Sequence, residues 1–401
     1  MHVFIITQYF PPEIGASASR WGDYSDILLK QNHKVTILCE APHYPNDSYF
    51  SGYTNTWIKV EKKSPNLTII RSKAYASDRK NFIKKIIHYL VFMISACINF
   101  RKVKNFDLLI VSSPPLFTGV IGLLGNFFFK IDYWLDIRDL WPDSALELKQ
   151  IKKGLLYKFG KKLEIQIYNA AKGFIFPVPG FRNYLKNFSD RVSKKPMIEL
   201  LNGVSEDFIK RSQSINISSD QKFTVLYSGN MGLAQDLTTI IETAHILKDY
   251  NIIFRFIGQG VCKSEIELLS NPINEKIHFH NSVNREDLIK WIRRSSVCLV
   301  PLKNKKLFDT AIPSKMFEYM ACGKPIILSV KGDARKIVNS SKSGLAIEPE
   351  NAILLSEAIL TYFNDRNRCN IDGEKGMRYV TKNLTKEELI SNLLNNIKEL
   401  N

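Results

Sequence analysis

The chain has no paired-cysteine motif. Its six cysteines (Cys39, Cys97, Cys262, Cys298, Cys322 and Cys369) are scattered, with no Cys-x-x-Cys and no zinc-like spacing. Several stand in apolar runs such as Val297-Cys298-Leu299-Val300, where cysteine behaves as a small buried hydrophobe. Reduced cysteines point to a cytosolic compartment. His278 and His280 share a strand face, but no further ligand cluster accompanies them, so no metal site is expected. Also missing is a run long enough to span a bilayer. The most apolar stretch, residues 86–100 (IIHYLVFMISACINF), contains His88, Ser95 and Asn99 and falls short of the roughly 20 residues needed. Met1 to Thr7 lacks a basic segment and reads as a buried strand, not a signal peptide. Neither Gly-x-Gly-x-x-Gly nor Gly-x-x-x-x-Gly-Lys-Ser/Thr occurs, since Gly258-Gln259-Gly260 is followed by Lys263 where the last glycine would stand. Hydride transfer and P-loop phosphoryl transfer are therefore unsupported. There is no acidic Asp-x-Asp motif either.

The chain is 401 residues long, 45% hydrophobic and 24% charged, which excludes a disordered or low-complexity protein and suggests two domains. The formal charge of +17 is lopsided, with +13 in residues 1–200 and +4 in the remainder. A basic half points to an anionic surface on one side. Basic residues without interleaved aromatics or a known motif argue against nucleic acid.

Apolar β-branched runs alternate with helical patterns throughout. Strands are expected at Val3–Ile6, Lys34–Cys39, Leu67–Arg71, Leu108–Val111 and Tyr133–Ile137, with shorter candidates at Phe174–Pro177 and Met197–Leu201. The second half repeats the plan with Thr224–Gly229, Ile252–Ile257, Lys276–Phe279, Val297–Pro301, Lys324–Leu328 and Gly344–Ile347. This is α/β: two Rossmann-like doubly wound parallel-sheet domains, 1–195 and 196–382. The helical segment 383–401 is expected to pack back on the first domain.

In such sheets ligands bind beyond the carboxyl ends of the strands. Glycine-bearing loops stand there in both halves: Gly15, Gly229 with Gly232, and Gly258 with Gly260. They let backbone amides approach a phosphate, and loops of this kind from two domains suit a ligand held in a central cleft between them. The stretch Thr310-Ala311-Ile312-Pro313-Ser314-Lys315-Met316-Phe317-Glu318 adds a cation in the first turn of a helix and a carboxylate one turn later. A cation there opposes the helix dipole, so it is better explained as part of an anion site, and Glu318 can accept two hydrogen bonds from a vicinal diol. Phosphate and ribose together describe a nucleotide.

Six segments in order carry a resemblance over the whole length: PPEIGASASRW at 11–21, LDIRDLWPDSALEL at 135–148, LLNGVSEDFI at 200–209, YSGNMGLAQDL at 227–237, FIGQG at 256–260 and AIPSKMFEYMACGKPII at 311–327. The chain resembles the retaining GT-B glycosyltransferases of family four. It is most similar to bacterial O-antigen and capsule enzymes that transfer N-acetylfucosamine and related sugars. The resemblance implies a UDP-sugar donor, a lipid-linked glycan acceptor and no metal or other cofactor. It implies donor binding by Gly15, Gly229, Asn230, Gly258, Gly260, Pro313, Ser314, Lys315 and Glu318, with Glu318 on the ribose and Lys315 on the diphosphate. Asp139 falls where the family places an acceptor-side base or orienting group; as a residue it equally reads as a helix cap. His43 and Arg138 are further acceptor-side candidates.

Two departures from the family pattern stand out. Thr310 occupies the place of the first glutamate of an E-x7-E pair, and Asn230 and Gln235 stand near where relatives carry Arg and Lys. A UDP-sugar 2-epimerase on the same fold, and a non-enzymatic basic binding protein or adaptor, remain the alternatives. Residues 59–85 hold nine Lys/Arg against Glu61 and Asp78, and residues 149–162 hold six lysines and no acid. With the apolar stretch between them, these runs suggest a first domain seated on an anionic membrane, on the cytoplasmic face.

Overall fold

A computed structural model describes residues 1–13, 15–43, 48–76, 82–147, 151–215 and 222–400. The chain divides into two compact units, one of Met1–Leu201 with Ile390–Asn401 and one of Asn202–Leu389.

The first unit is built on β1 (His2–Ile6), β2 (Lys34–Glu40), β3 (Ile58–Ser64), β4 (Leu67–Ser72), β5 (Leu108–Ser113), β6 (Trp134–Ile137), β7 (Gly173–Phe176) and β8 (Met197–Glu199), in the order β3-β4-β2-β1-β5-β6-β7-β8. All pairings are parallel except β3 with β4. Buried on both faces, the central strands are continuous apolar runs; Val3, Phe4, Ile5 and Ile6 are wholly enclosed. The helices α1 (Ala16–Lys30), α2 (Phe82–Phe100), α3 (Leu116–Phe129), α4 (Asp143–Glu147) and α5 (Leu155–Ala170) alternate with the strands. β3 was not foreseen. Its sequence, IKVEKKS, carries charges that protect an exposed sheet edge, and only its weak alternation marks it as a strand.

The second unit contains β9 (Phe223–Ser228), β10 (Ile252–Ile257), β11 (Ile277–His280), β12 (Val297–Pro301), β13 (Ile326–Ser329) and β14 (Gly344–Ala346). The sheet is wholly parallel, in the order β11-β10-β9-β12-β13-β14. Renumbered within the unit this is the doubly wound order 3-2-1-4-5-6, whose switch point lies between β9 and β12. The loop after β9, Gly229-Asn230, therefore stands where the topology makes a crevice.

No helix among the described residues is long and apolar enough to cross a membrane. α2 buries Phe92, Ala96 and Phe100 while leaving Ile87, Ile94 and Ile98 exposed.

Candidate functional site

In the second unit, the strand end and one short helix are tied together by Tyr319. Its hydroxyl accepts from the Ser228 amide at 2.8 Å and lies 2.9 Å from the Ser228 hydroxyl. That bond fixes the helix Lys315–Ala321 against the end of β9, and Gly323, at φ +68°, closes the helix with its amide on the Met320 carbonyl. One turn before Tyr319, Lys315 extends under Gly229. A Cβ at Gly229, whose φ is +125°, would sit 2.9 Å from Lys315 Nζ. The ammonium stands 3.9 Å from the centroid of the Tyr227 ring. The Lys315 residue is partly exposed, yet its Nζ is buried and has no hydrogen-bond partner among the described residues.

Such a charge is costly, and burial pushes Lys315 down to about 7, against the opposing field of Glu318. The cation–π contact with Tyr227 offsets part of that cost. Glu318, partly exposed, lies on the same helical face three residues on. The helix is only seven residues long and Ser314 gives it no side-chain cap, so the ammonium, and not the helix end, is the anion-attracting element.

The glycine loops pack backbone on backbone. Gly229 donates its amide to the Ile257 carbonyl and Met231 donates to the Gln259 carbonyl, both at 2.8 Å. A Cβ at Gly258, at φ +146°, would collide with the Gly229 carbonyl oxygen. Gly258 and Gly260 are thus required by the approach of two loops, whatever they bind. Asn230 is exposed beside them and accepts the Tyr227 hydroxyl on its carbonyl at 2.6 Å. Pro313 and Ser314 form the approach to the helix, and Thr310 ends a 3₁₀ turn, Lys306–Thr310.

In the first unit, Gly15 precedes α1 at φ +148°. His43 is buried just past β2, its Nδ1 donating to the Ala41 carbonyl at 3.2 Å and lying 3.5 Å from Glu40. Its amide donates to Glu13. The Gln8 amide group donates to Glu40 at 2.8 Å and lies 2.6 Å from His88 Nε2. Since His88 Nδ1 donates to the Tyr75 carbonyl, its Nε2 is the acceptor from Gln8. Glu40, His43 and His88 form a cluster with metal-ligand spacing, at a place different from His278 and His280, and hydrogen bonds organise it.

Arg138 is drawn inward. Its guanidinium donates to the Pro114 carbonyl at 3.0 Å and lies 3.9 Å from Asp136, a buried strand carboxylate that also accepts from Arg20, Trp21 and Ser112. Asp139 lies two residues past β6. Burial pushes its carboxyl up, while hydrogen bonds from the Ser144 hydroxyl and Leu140 amide and the charges of Arg138 and Lys85 pull it down. α4 begins only at Asp143, so Asp139 is not its N-cap.

The lysine run 149–162 needs correction. Lys161 is half-buried and engaged by Asp143 at 3.1 Å and by Glu164, which lie just outside the run in sequence. Its charge is matched by these two carboxylates. Lys152, Lys153, Lys158 and Lys162 are exposed, whereas Lys149, Asp78, Arg79 and Lys80 fall outside the described residues.

Tyr227, Tyr319, Glu13, Glu40, His88 and Asp136 were not singled out from the sequence. Glu13, Asp136, Tyr227 and Tyr319 sit inside the motif segments and left a signal there, whereas Glu40 and His88 lie outside them.

These geometries define the GT-B class: two parallel-sheet Rossmann-like α/β units. Residues 208–379, most of the second unit, match the family model described as glycosyl transferases group 1. The chain is 20% identical to the putative colanic acid biosynthesis glycosyl transferase WcaI of Escherichia coli K12, over 99% of this chain and all of that protein. In structure it is similar to sucrose-phosphate synthase of Thermosynechococcus elongatus, with a TM-score of 0.75 and 16% identity, covering 100% of this chain and 99% of the other. It is also similar to Anabaena HepE in complex with UDP-glucose, with a TM-score of 0.69 and 10% identity over the full length of both.

Proposed function

We propose that this protein is a retaining glycosyltransferase of the family-four type. It moves a sugar from a nucleotide-sugar, a UDP-linked N-acetylated deoxyhexose or hexosamine, to a lipid-linked glycan in O-antigen or capsule assembly. One observation carries the reading: a buried ammonium without a hydrogen-bond partner among the described residues, Lys315, set against a glycine at the end of β9 and one turn from Glu318. A buried cation in that state suits an anion, and the similarity to HepE, whose structure is a complex with UDP-glucose, supports reading that anion as a nucleoside diphosphate.

As the sugar–phosphate bond breaks, negative charge grows on the departing diphosphate and Lys315 stabilises it. Glu318 accepts the ribose hydroxyls. The leaving phosphate takes the proton of the acceptor hydroxyl on the same face of the sugar, while Asp139 orients that hydroxyl. Incubation with a panel of UDP-sugars and lipid-linked acceptors, followed by mass analysis, tests the reading. A sugar epimerised without any acceptor would replace it with the epimerase reading.

Glu318→Ala should weaken UDP binding by about 1.5–3 kcal/mol, the worth of hydrogen bonds to a charged group, with the melting temperature unchanged. Calorimetric affinity equal to the parent's would remove Glu318 from the ribose site.

The first unit docks on an anionic cytoplasmic leaflet through exposed Lys152, Lys153, Lys158 and Lys162 together with Leu155 and Phe159, which are 87% and 58% exposed. Each basic residue near such a surface contributes on the order of 1 kcal/mol. Flotation should require anionic lipid, weaken with salt, and fall when these four lysines become glutamine. Changing Lys161 alone to glutamine should leave vesicle binding at the parental level, and equal flotation with neutral vesicles would count against docking.

A further inference from the structure

The first unit contains a cavity of about 440 Å³, within the range of small-molecule sites, that the proposed donor chemistry does not use. Its walls are Tyr89 and Leu90 of α2, Phe117 of α3, Trp141 before α4, and Phe159 and Leu163 of α5. Polar groups enter it at few points: Lys85, Asp139 and Ser144 are the side chains with charge or a hydroxyl besides Tyr89. A glycan of several rings presents many hydroxyls, and burying them against such walls would leave most without partners. A hydrocarbon chain has no such requirement.

The cavity also continues outward. Leu156 and Phe159 both line it and are exposed at the surface, next to the 87% exposed Leu155. The same stretch carries the exposed Lys152, Lys153, Lys158 and Lys162. At the other wall, Lys85 lies close enough to Asp139 for its charge to act on that carboxyl. A lysine at the wall of an apolar recess that opens among further lysines suits a hydrocarbon chain with an anionic phosphate head.

We propose that this cavity holds the hydrocarbon adjoining the phosphate of the lipid-linked acceptor. The chain lies between α2 and α5, the phosphate meets Lys85, and the acceptor hydroxyl faces Asp139. The inference rests on the acceptor class proposed above and adds the place where the lipid is held. It also gives Lys85 a role in selecting the acceptor, apart from general attraction to a membrane.

The test uses farnesyl diphosphate as probe, with inorganic diphosphate and farnesol as the head and tail alone, measured by calorimetry on the full chain. A Lys315→Met background removes binding at the donor position. Farnesyl diphosphate should bind at least tenfold more tightly than inorganic diphosphate. Leu163→Trp, which fills the recess, should weaken it tenfold or more, and Leu90→Asp should do the same from the opposite wall. Lys85→Gln should reduce the preference for farnesyl diphosphate over farnesol several-fold. UDP binding and melting temperature, measured for these variants with Lys315 intact, should match the parent and exclude misfolding. Unchanged farnesyl diphosphate affinity in both wall variants would overturn the proposal, as would inorganic diphosphate binding equally well. Failure of sugar transfer with farnesyl diphosphate binding as expected would sink the transferase reading and leave the pocket standing. Transfer to a lipid-linked acceptor at parental KM in Leu163→Trp would do the reverse.

Discussion

Replacing Lys315 with methionine should leave the second unit more stable and unable to hold a nucleoside diphosphate. In the folded chain the ammonium is buried without a hydrogen-bond partner, and burial lowers it from its ordinary 10.5 to about 7. The unfolded chain keeps the ordinary value. Between these two pH values the unfolded state binds more protons, so folding stability falls as the pH drops from about 10.5 to about 7. Below that window both states are charged and the penalty is constant. Methionine fills the same space without the charge. The variant should therefore melt higher at pH 7, by an amount corresponding to roughly 1–4 kcal/mol, with the gap closing toward pH 10.

Function should move the other way. A bound diphosphate stabilises the protonated lysine, so UDP binding takes up a proton above neutral pH. Parental UDP affinity should fall by close to a factor of ten per pH unit above about 7.5, and the variant should show no such slope. Uridine, which lacks the phosphates, should bind both proteins alike. Turnover should drop about 10²–10³-fold, as when a group that stabilises developing charge is removed. UDP binding with the parental affinity and pH slope would show that another cation holds the phosphates.

The sheets were legible because fully buried parallel strands must be apolar along their whole length. Val3–Ile6, Leu108–Val111 and Val297–Pro301 could hardly be anything else. β3 escaped because an edge strand next to solvent needs charge more than hydrophobicity. Lys315 and Glu318 were legible for a local reason: three residues apart, they share a helical face in any context. Their setting was not. Tyr319 acts on Ser228 across 91 positions of sequence, and Lys315 meets Tyr227 across a similar interval. No periodicity encodes such contacts.

The same distinction separates His43 from its neighbours. His43 could be named as an acceptor-side candidate, while its partners Glu13 and Glu40 and the adjacent His88 come from three other elements or loops. Lys161 is the opposite case. Its partner Glu164 is only three residues away, and one helical turn beyond the window was enough to reverse its reading from docking charge to internal ion pair.

Asp139 separates a reacting role from a structural one most sharply, because the two predict opposite changes in stability. Burial raises its carboxyl above the ordinary 3.8, so the fold disfavours the charged form. As pH rises through the folded value, the folded state releases a proton that the unfolded chain has already given up, and Asp139 contributes progressively less stability. Asparagine keeps the shape and can still accept from the Ser144 hydroxyl and Leu140 amide, but it never ionises. Asp139→Asn should therefore melt at or above the parent at pH 7, with the advantage vanishing toward pH 3. Sugar transfer should nevertheless fall by about 10²–10⁴-fold, the usual worth of a positioned acid–base group, while UDP affinity stays at the parental value. The parent's transfer rate should also decline on acidification at a higher pH than an exposed aspartate would give. A variant that melts lower yet transfers sugar at the parental rate would make Asp139 a structural acceptor for Ser144 and Leu140, and the acceptor-side carboxylate would have to be sought among Glu13 and Glu40 beside His43.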